Sequence, residues 1–463
     1  MKFSEIEVFY FLGIGGIGMS ALARYFHSKN AIVLGYDKTS TPLTTELVIE
    51  GISVHFDDSV LEIPSVAKHT DKSRVLVVYT PAIPADSIEL NWFRAEGYTM
   101  MKRSQVLGLI TENTKTIAVG GTHGKTTTST LIAHILYDSG KGCNAFLGGI
   151  ASNYQTNLLL SPDSEWTVVE ADEYDRSFLT LTPTISVITS MDADHLDIYG
   201  SHEYMLDSFR LFADKTRPGG VLFHRAGLPL ATEGKPYEIL SYSAHGNAQF
   251  QAINLGVHQG KYTFDLSVDS GVQKYVFEKL ELGLPGRHNV ENAVAACAAA
   301  LHAGVDEQAL RKALASFKGV RRRFEYRVRK ENIILIDDYA HHPEELKACI
   351  NSVRELYPDK RITGVFQPHL FSRTRDFADE FARSLELLDD IVLLPIYPAR
   401  ELPMEGVHSQ MLLDKISKSE KILVGKGGLL AELRNKPREI ILMLGAGDID
   451  ALVPQVSEAF GGD

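Results

Sequence analysis

Short apolar segments rich in β-branched residues alternate with amphipathic segments along most of the chain. This pattern is typical of α/β folds with parallel sheets. A first series predicts strands at VFYFLG, AIVLGYD and RVLVVYTPAIP, and a second series predicts strands at TIAVGG, WTVVEAD and TISVITSMD. A third series contains IILIDD, RITGVFQP, DIVLLPIYP and REIILMLGAG. The pattern therefore predicts an α/β fold with several parallel sheets.

Two changes in this pattern divide the chain into three predicted domains. The polar stretch TENTKT separates the first series from the second, and the basic connector GVRRRFEYR separates the second from the third. We therefore predict domains at residues 1–112, 113–317 and 318–463. A length of 463 residues agrees with this number of domains at roughly 150 residues each.

Local patterns predict further elements within the second and third domains. The alternating segment AQFQAINLGVHQGKYTFDLSVDSG predicts antiparallel hairpins added to the central sheet. The segment NVENAVAACAAALHAG predicts a helix that buries one face and ends before Gly304. A further helix is predicted to begin at Pro343, the last residue of HHP, and to bury Leu346, Ile350 and Val353.

Composition and charge exclude several classes of protein. Apolar residues make up 44% of the chain and charged residues 23%, as in ordinary folded proteins. The net charge of −12 argues against nucleic acid or an anionic membrane as a general partner, because little would drive counterion release. No apolar run is long enough to span a membrane, and the acidic start MKFSEIEVFYFLG does not resemble a signal peptide. With only three scattered cysteines, we expect a cytoplasmic protein without disulfides.

A glycine-rich turn follows the first predicted strand. Gly13, Gly15 and Gly18 fit the spacing G-x-G-x-x-G, and Asp37 ends the next strand. Glycines at this spacing let the backbone approach a pyrophosphate at a helix N-terminus. The pattern alone leaves open a phosphate site, a nicotinamide dinucleotide site, or close strand–helix packing without a ligand.

A second glycine-rich turn, GGTHGKTTT, follows strand TIAVGG and opens a helix. Gly124, Lys125 and Thr126 fit the end of a phosphate loop, in which backbone N–H groups bind phosphate, the lysine neutralises β- and γ-oxygens, and the hydroxyl holds Mg²⁺. The match is irregular, because the first glycine of the usual loop would fall on Val119. ATP or GTP binding is the strongest prediction from the pattern alone, and we expect Lys125 to face solvent.

Acidic and histidine residues follow two further strands of the second series. Glu170 ends the strand WTVVEAD, and His195 follows the next strand in SMDADHLDIYG. A carboxylate at this edge of a nucleotide-binding sheet is the ligand that Mg²⁺ requires. The four acids of the run EADEYD could instead form a solvated loop, but because Glu170 ends a buried strand we predict it as a metal ligand, ahead of its neighbours. For His195 the pattern allows two roles, that of a metal ligand and that of a structural residue.

Charged residues also cluster at the start of the third domain. The run RRRF is either a solvated patch or the source of an arginine that reaches the transferred phosphate. Asp338 and His341 lie at a strand–helix turn, where α/β proteins bind ligands, although HHP also serves as an ordinary helix start. The segment QPHLFSRTRDF adds Arg373, which can hold a carboxylate or a phosphate.

Taken together, these motifs resemble the Mur ligases of peptidoglycan synthesis over essentially the whole chain. They occur in the family's order: GIGGIGMSALA, VVYTPAIP, GTHGKTTT, EADEYDRSF, DADHLDIYG, GRHNVENAVAA, RRRFE, DDYAHHPEEL, QPHLFSRTRDF and GAGDI. The resemblance implies N- and C-terminal Rossmann-like domains that flank a central P-loop ATPase-type domain. It also accounts for the irregular phosphate loop, since G-T-x-G-K-T-T is the family's form.

The resemblance implies an activity as well. It indicates a ligase, dependent on ATP and Mg²⁺, that joins L-alanine to the carboxylate of UDP-N-acetylmuramate through an acyl phosphate during cell-wall biogenesis. The N-terminal domain would bind the UDP portion and the C-terminal domain the amino acid. Such an enzyme is expected to be a monomer or a weak homo-oligomer.

Roles for individual residues follow from the same resemblance. The residues implied in catalysis are Lys125, His195, Arg323 and Asp338. Those implied in ATP binding are Gly121, Thr122, His123, Gly124, Lys125, Thr126, Thr127, His288, Asn289, Asn292, Arg323 and Asp338. The implied metal ligands are Thr126, Glu170 and His195. The residues implied in binding the UDP-sugar acid or the amino acid are Gly15, Gly16, Ser20, Tyr339, His341 and Arg373.

One position departs from the family's pattern, and two alternative functions stay open. Leu370 stands where many members have arginine, which leaves Arg373 to hold the anionic group. The nearest alternative is the recycling ligase that attaches a preformed tripeptide to the same UDP-sugar acid. The other is an NAD-dependent oxidoreductase built on Gly13 to Gly18, which would leave GTHGKTTT and Glu170 without a role.

Overall fold

The computed structural model describes residues 2–193, 196–231, 233–258, 261–269, 271, 273–399 and 401–462. Three sheets follow one another along the chain, and the predicted three-domain α/β fold is confirmed. Contacts divide the chain into two compact units. The first comprises residues 1–253, 265–280 and 291–317, and the second comprises residues 254–264, 281–290 and 318–463. The exact domain boundaries near 112 and 318 stay predictions.

The N-terminal domain has the alternating strands and helices that its sequence pattern predicts. Its elements are β1 (Val8–Leu12), α1 (Ile17–Ser28), β2 (Ile32–Tyr36), α2 (Pro42–Ile49), β3 (Ser53–His55), α3 (Ser65–His69), β4 (Val75–Tyr79), α4 (Ile88–Ala95), β5 (Thr99–Lys102) and α5 (Arg103–Glu112). The strands are parallel in the order β3-β2-β1-β4-β5, which is a Rossmann-like order. Because side chains alternate along β1, Tyr10 lies in one apolar core and Phe11 in the other.

The central domain contains the largest sheet. Its elements are β6 (Lys115–Gly120), α6 (Lys125–Asp138), β7 (Asn144–Ala151), β8 (Thr156–Leu159), β9 (Trp166–Ala171), β10 (Ile185–Ile188), α7 (Leu196–Tyr199), α8 (His202–Ala213), β11 (Val221–Arg225), β12 (Glu238–Ser243), β13 (Phe250–His258), β14 (Lys261–Asp269), β15 (Lys274–Leu282), α9 (Arg287–His302) and α10 (Glu307–Ser316). The order is β15-β14-β13-β12-β11-β10-β6-β9-β7-β8, so β6 lies between β10 and β9. The consecutive strands β13, β14 and β15 are neighbours, as successive hairpins require.

The C-terminal domain carries a third sheet. Its elements are β16 (Glu325–Arg329), β17 (Ile334–Asp338), α11 (Pro343–Leu356), β18 (Ile362–Phe366), α12 (Phe371–Asp376), α13 (Ala378–Leu385), β19 (Asp390–Leu393), α14 (Ser409–Lys415), β20 (Lys421–Leu423), α15 (Leu429–Arg434), β21 (Ile440–Leu444) and α16 (Val453–Ala459). The order is β16-β17-β21-β18-β19-β20, in which only the β16–β17 pairing is antiparallel. Short 3₁₀ helices in the three domains span Phe3–Glu5, Lys72–Arg74, Tyr174–Thr180, Lys426–Gly428 and Asp448–Leu452.

The two helices predicted in detail are present. Helix α11 begins at Pro343 and buries the predicted stripe that contains Ile350. Helix α9 is buried on more than one face, because most of its middle positions are alanines that fit closely between neighbouring elements. Gly304 follows its end with a φ of 84°. Among the described residues, no helix combines the length and apolar character needed to cross a membrane.

The N-terminal and central domains share one apolar core inside the first unit. Phe11 of β1 and Phe146 of β7 belong to the same cluster of buried residues. Next to this cluster, the buried Arg24 of α1 donates hydrogen bonds to Asn157 of β8 and to Glu50. The bond to Asn157 joins the two domains, while Glu50 balances the charge of Arg24 within the N-terminal domain.

A fully buried carboxylate lies on one face of the N-terminal sheet. Glu89 of α4 accepts a hydrogen bond of 2.6 Å from the Tyr10 hydroxyl, which also lies 2.7 Å from Nε2 of His55. Burial raises the pKa of Glu89 to about 7, and the hydrogen bond from Tyr10 opposes that shift. Burial also lowers the pKa of His55, so this ring is a poor counter-ion for Glu89.

Replacing Glu89 with glutamine should stabilise the protein at alkaline pH. Because the folded state raises this pKa, the contribution of Glu89 to stability is present at low pH and is lost as the pH rises through about 7. Glu89→Gln should therefore raise the melting temperature at pH 8 far more than at pH 5, and the difference corresponds to at most about 3 kcal/mol. The control is Glu96→Gln, since Glu96 follows α4 in an exposed pair with Lys72. Equal shifts at both pH values would contradict this account.

Candidate active site

The phosphate loop lies at the carboxyl edge of the central sheet, between the end of β6 and the start of α6. Gly124 has a φ of 83°, and a Cβ there would lie 2.5 Å from Oδ1 of Asn292. The same Oδ1 accepts a hydrogen bond of 3.2 Å from the Thr128 hydroxyl. The structure thus brings Asn292 of α9 against the loop residues predicted to bind ATP, and it explains why this loop requires glycine at position 124.

A serine after β10 holds the loop from the other side. Oγ of the buried Ser190 accepts a hydrogen bond of 2.7 Å from the His123 N–H and lies 2.8 Å from the Thr122 hydroxyl. The Asp192 N–H also donates to the Thr122 hydroxyl, at 3.1 Å. The sequence pattern predicts metal ligands in this segment and does not predict that Ser190 binds the loop. The available signal was a polar residue directly after a buried strand of the same sheet.

Lys125 is largely buried, so the expectation that it faces solvent is wrong. Its side chain is 13% exposed, and Nζ lies 2.7 Å from Oε2 of Glu173. Nζ also donates to the Gly121 carbonyl at 2.6 Å. Burial opposes the charge of Lys125, but the carboxylates of Glu173, Glu170 and Asp172 outweigh burial and raise its pKa. The loop therefore presents a lysine that stays charged.

Oxygen donors suited to Mg²⁺ stand on both sides of this loop. Glu170 of β9 pairs in register with Val119 of β6, one position before the strand ends, and Thr126 lies in the first turn of α6. Carboxylate and hydroxyl oxygens are ligands that Mg²⁺ prefers. A Cβ on Gly148 of the neighbouring β7 would lie 1.9 Å from Oε2 of Glu170, so the carboxylate occupies space that only glycine leaves. Thr126 and Glu170 supply oxygen atoms of the kind that Mg²⁺ takes, and their role as its ligands stays a prediction.

The third predicted ligand, His195, lies outside the described residues. Within the described part of the chain, no group of three His, Cys, Asp or Glu side chains is arranged to hold a metal ion. The complete metal site therefore stays a prediction.

Replacing Gly148 with alanine should weaken the metal site without touching a predicted ligand. The added methyl group would displace the Glu170 carboxylate, because 1.9 Å is far shorter than any permitted contact. We expect the Mg²⁺ concentration for half-maximal ADP formation to rise at least about tenfold. A titration with MgCl₂ at saturating ATP measures it, and Gly256→Ala is the control, since among the described residues no atom other than those of its chain neighbours lies within 4 Å of the added Cβ. An unchanged Mg²⁺ requirement in folded Gly148→Ala would refute the assignment of Glu170 as a metal ligand.

The glycine loop of the N-terminal domain binds its own acidic residue. The Gly15 N–H donates a hydrogen bond of 2.8 Å to Asp37, so the carboxylate that a dinucleotide enzyme would use for ribose contacts the loop itself. Gly16 lies at the N-terminus of α1. Ser20 is fully buried, and its hydroxyl accepts a hydrogen bond of 2.9 Å from Asn157. The structure brings Gly15 and Gly16 to the loop but not Ser20, whose predicted substrate contact stays without structural support.

Two basic residues that the sequence pattern does not single out contact the acidic loop after β9, and one of them, Arg103, also lies close to Gly18 of α1. Arg103, the first residue of α5, lies 3.5 Å from Asp172, and one of its nitrogens lies 2.8 Å from the position of a Cβ on Gly18. The preceding Lys102 pairs with Asp175 at 2.9 Å. The sequence signal was a basic pair at the end of a parallel strand, where α/β proteins bind anions.

In the second unit, Arg323, Asp338 and Tyr339 form one group. The Arg323 guanidinium lies 4.9 Å from the centre of the Tyr339 ring. Asp338 accepts hydrogen bonds from the N–H groups of Phe324 and Ala340, at 2.7 and 2.8 Å. Burial raises the pKa of Asp338 to about 6, while Arg323 and the two backbone hydrogen bonds oppose that shift. Asp338 thus fixes the backbone next to Arg323.

The three consecutive arginines have different environments. Arg321 is exposed. Arg322 donates hydrogen bonds to the Gly445 carbonyl at 2.7 Å and to Asp450 at 3.1 Å, so it secures the segment after β21. Arg322 therefore belongs neither to a solvated patch nor to a site for phosphoryl transfer. This leaves Arg323 as the arginine for which the predicted role in ATP chemistry is retained.

His341 lies beside Tyr339, and the role of both residues in an amino-acid site stays a prediction. Its Nδ1 is 2.9 Å from the Tyr339 carbonyl and 3.1 Å from Glu345, and its ring contacts that of His369 at 5.8 Å between centroids. Arg373 lies on α12 and is partly buried. Its predicted contact with substrate is untested by this geometry.

Leu370, which replaces the family's common arginine, precedes α12 in an unusual backbone conformation. Its φ is 68° and its ψ is 138°, which is strained for a leucine. The N–H of Leu370 donates to the Tyr397 carbonyl at 2.9 Å, and this bond holds the strained segment. No feature of the structure explains the replacement of arginine by leucine.

His288 and Asn289 lie in the first turn of α9. Burial lowers the pKa of His288 to about 4, so the ring is neutral at physiological pH. The side chain of the buried Asn289 donates to the Pro285 carbonyl. Asn289 thus supports the turn that opens α9, and the role of both residues in ATP binding stays a prediction.

Three sequence profiles cover most of the chain. The profile of the Mur ligase family catalytic domain matches residues 8–115, and that of the Mur ligase middle domain matches residues 119–300. The profile described as Mur ligase, glutamate ligase domain matches residues 322–449. The three matches occur in the order of the three sheets.

Individual relatives match along nearly the full length. The UDP-N-acetylmuramate–L-alanine ligase of Porphyromonas gingivalis is 52% identical over 97% of this chain and 98% of its own. The enzyme of the same name from Cytophaga hutchinsonii is 48% identical over 98% of this chain and 97% of its own. The crystal structure of UDP-N-acetylmuramate–alanine ligase from Thermotoga maritima superposes with a TM-score of 0.82 at 27% identity, covering 98% of each chain. On these matches, and with the phosphate loop and its neighbouring acids in place, the chain belongs to the Mur ligase family.

Proposed function

We propose that this protein is an ATP-dependent ligase that joins L-alanine to the carboxylate of UDP-N-acetylmuramate. One observation carries the proposal: a charged, largely buried Lys125 of the phosphate loop pairs with Glu173 in a chain 52% identical to an enzyme of that name. Reactions that join two anions require such local positive charge. ATP and Mg²⁺ as cofactors, UDP-N-acetylmuramate and L-alanine as substrates, and a cytoplasmic location are parts of the same proposal.

The proposed reaction has two steps. A carboxylate oxygen of the UDP-sugar acid attacks the γ-phosphorus of ATP. The bond between this phosphorus and the oxygen bridging to the β-phosphate breaks, so that ADP departs and an acyl phosphate is formed. The amine of alanine then attacks the acyl carbon, loses a proton and displaces inorganic phosphate to form the amide. Lys125 stabilises the negative charge on the transferring group, and Arg323 is proposed to add a second cation. When bound, Mg²⁺ supplies charge neutralisation at the phosphates, and Thr126 and Glu170 would hold it.

Residues of the other two domains are proposed to orient the substrates. The glycine loop at Gly15 and Gly16 is proposed to face the UDP portion of the substrate, since this loop opens helix α1. Tyr339, His341 and Arg373 are proposed to bind the amino acid. The contact between Tyr339 and His341 supports a common role for these two residues.

The experiment is to measure ADP formation with each substrate omitted in turn. We expect ADP only when ATP, UDP-N-acetylmuramate and L-alanine are all present. Turnover with a preformed tripeptide in place of L-alanine, and none with L-alanine, would instead assign the recycling activity. Binding of NAD without any ADP formation would refute the ligase proposal altogether.

A further inference from the structure

The ammonium group of Lys125 has all of its hydrogens engaged inside the protein. An ammonium carries three N–H donors. Nζ donates hydrogen bonds to the Gly121 carbonyl at 2.6 Å, to Oε1 of Glu173 at 3.0 Å and to the Thr122 carbonyl at 3.5 Å, and Oε2 of Glu173 forms an ion pair with it at 2.7 Å. A phosphate oxygen can therefore bind Lys125 only by replacing one of these partners.

Glu173 is held in position by its surroundings. The residue is 1% exposed, and its backbone carbonyl accepts hydrogen bonds from the Tyr199 hydroxyl and from the Arg176 N–H. Asp175 and Arg176, which follow it, both adopt positive φ angles of 53° and 54°. This turn directs the Glu173 side chain toward Lys125 and away from solvent.

A buried lysine and a buried glutamate depend on each other. Removing one partner of such a pair leaves an uncompensated charge in the protein interior, which is strongly unfavourable. Glu173 keeps Lys125 charged and directed toward the loop. The same carboxylate must, however, give up its contact when a more highly charged phosphate reaches Lys125.

We propose that Glu173 is a positioning residue that competes with the nucleotide's terminal phosphates for Lys125. The proposal rests on the proposed ATP site and extends it to a residue to which the sequence analysis assigned no role. Glu173 keeps Lys125 in place between turnovers, and part of the binding energy of the terminal phosphates is spent on displacing it. Glu173 therefore lowers the affinity for nucleotides with β- and γ-phosphates and has no effect on the affinity for the nucleoside part.

The test compares nucleotide binding by the full chain and by Glu173→Gln, which keeps the size and removes the charge. We expect the dissociation constant of β,γ-methylene-ATP to fall about tenfold, both with Mg²⁺ and in EDTA. The dissociation constant of AMP should change by less than about twofold, because AMP has neither terminal phosphate. Isothermal titration calorimetry measures all three constants.

Two further variants complete the experiment. Glu165→Gln is the matched control, since Glu165 pairs with a β6 lysine, Lys115, at the opposite end of the strands in an exposed ion pair. It should leave all three constants unchanged. Glu173→Asp retains the charge on a shorter side chain, and we expect β,γ-methylene-ATP to bind about threefold more tightly to this variant. It is also the second variant if Glu173→Gln does not fold.

The opposite results overturn the proposal. Unchanged or weaker binding of β,γ-methylene-ATP by folded Glu173→Gln in EDTA would show that Glu173 does not compete with phosphate. Weaker binding with Mg²⁺ alone would overturn it too, because Glu173 would then act as a metal ligand. A parent chain that binds no nucleotide would instead refute the ATP site itself, so the two failures are distinguishable.

Discussion

Replacing Lys125 with alanine should lower the rate of ADP formation by about a thousandfold or more. The reason is electrostatic, because no other cation of the described first unit lies within hydrogen-bond distance of the loop carbonyl that Lys125 contacts. Burial adds a second consequence. Alanine would leave the Glu173 carboxylate without its ammonium partner, and breaking a buried pair in this way costs about 3–5 kcal/mol of stability.

A double variant separates the two consequences. Lys125→Ala combined with Glu173→Gln should recover most of the lost melting temperature but none of the lost turnover, because the buried charge is gone while the phosphate contact is still missing. Lys115→Ala is the control, since Lys115 lies on the preceding strand in an exposed pair. Recovery of substantial turnover in the double variant would show that Lys125 acts on stability and not on phosphate.

The second large effect is expected at Arg323, with a contrasting effect at its neighbour. Arg323→Ala should lower kcat by about a hundredfold or more while the melting temperature changes little, because a cation lost from phosphoryl transfer affects mainly the transition state. Arg322→Ala should lower stability by roughly 2 kcal/mol, because it removes the charged donor of the bonds to Gly445 and Asp450.

Steady-state kinetics and thermal melting on the same preparations test both expectations. Arg321→Ala is the control for the run of arginines, since its side chain is exposed and its loss should change neither quantity appreciably. If Arg322→Ala lost kcat at unchanged stability and Arg323→Ala did the reverse, the assignment of the two arginines would be wrong.

Features that depend on neighbours in sequence could be predicted well. The strand before Gly120, the glycine turn and the helix from Lys125 are local patterns, and each is present in the structure. The stripe on α11 follows in the same way from helical periodicity and from Pro343 at its first position.

Contacts between distant segments were beyond the same reasoning. Asn292 contacts Gly124 from a helix far along the chain, and nothing near either residue indicates the pairing. The phosphate-loop pattern predicts a lysine that faces a nucleotide, and it carries no information about a carboxylate from another segment. Glu173 lies in an acidic run typical of exposed loops, so its contact with Lys125 could not be predicted. Arg322 differs from Arg323 because it contacts the segment after β21, and a run of three arginines in the sequence does not indicate which of them makes that contact.

The shared core of the N-terminal and central domains, with Arg24 and Asn157 inside it, has a consequence for substrate choice. Since both glycine turns belong to one compact unit, the distance between them is a property of the folded chain. If the UDP portion lies at the first turn, as we propose, the substrate carboxylate reaches the second turn only when the sugar between them has the matching length. A shorter or longer sugar acid should bind at the first turn and still fail to react at the second.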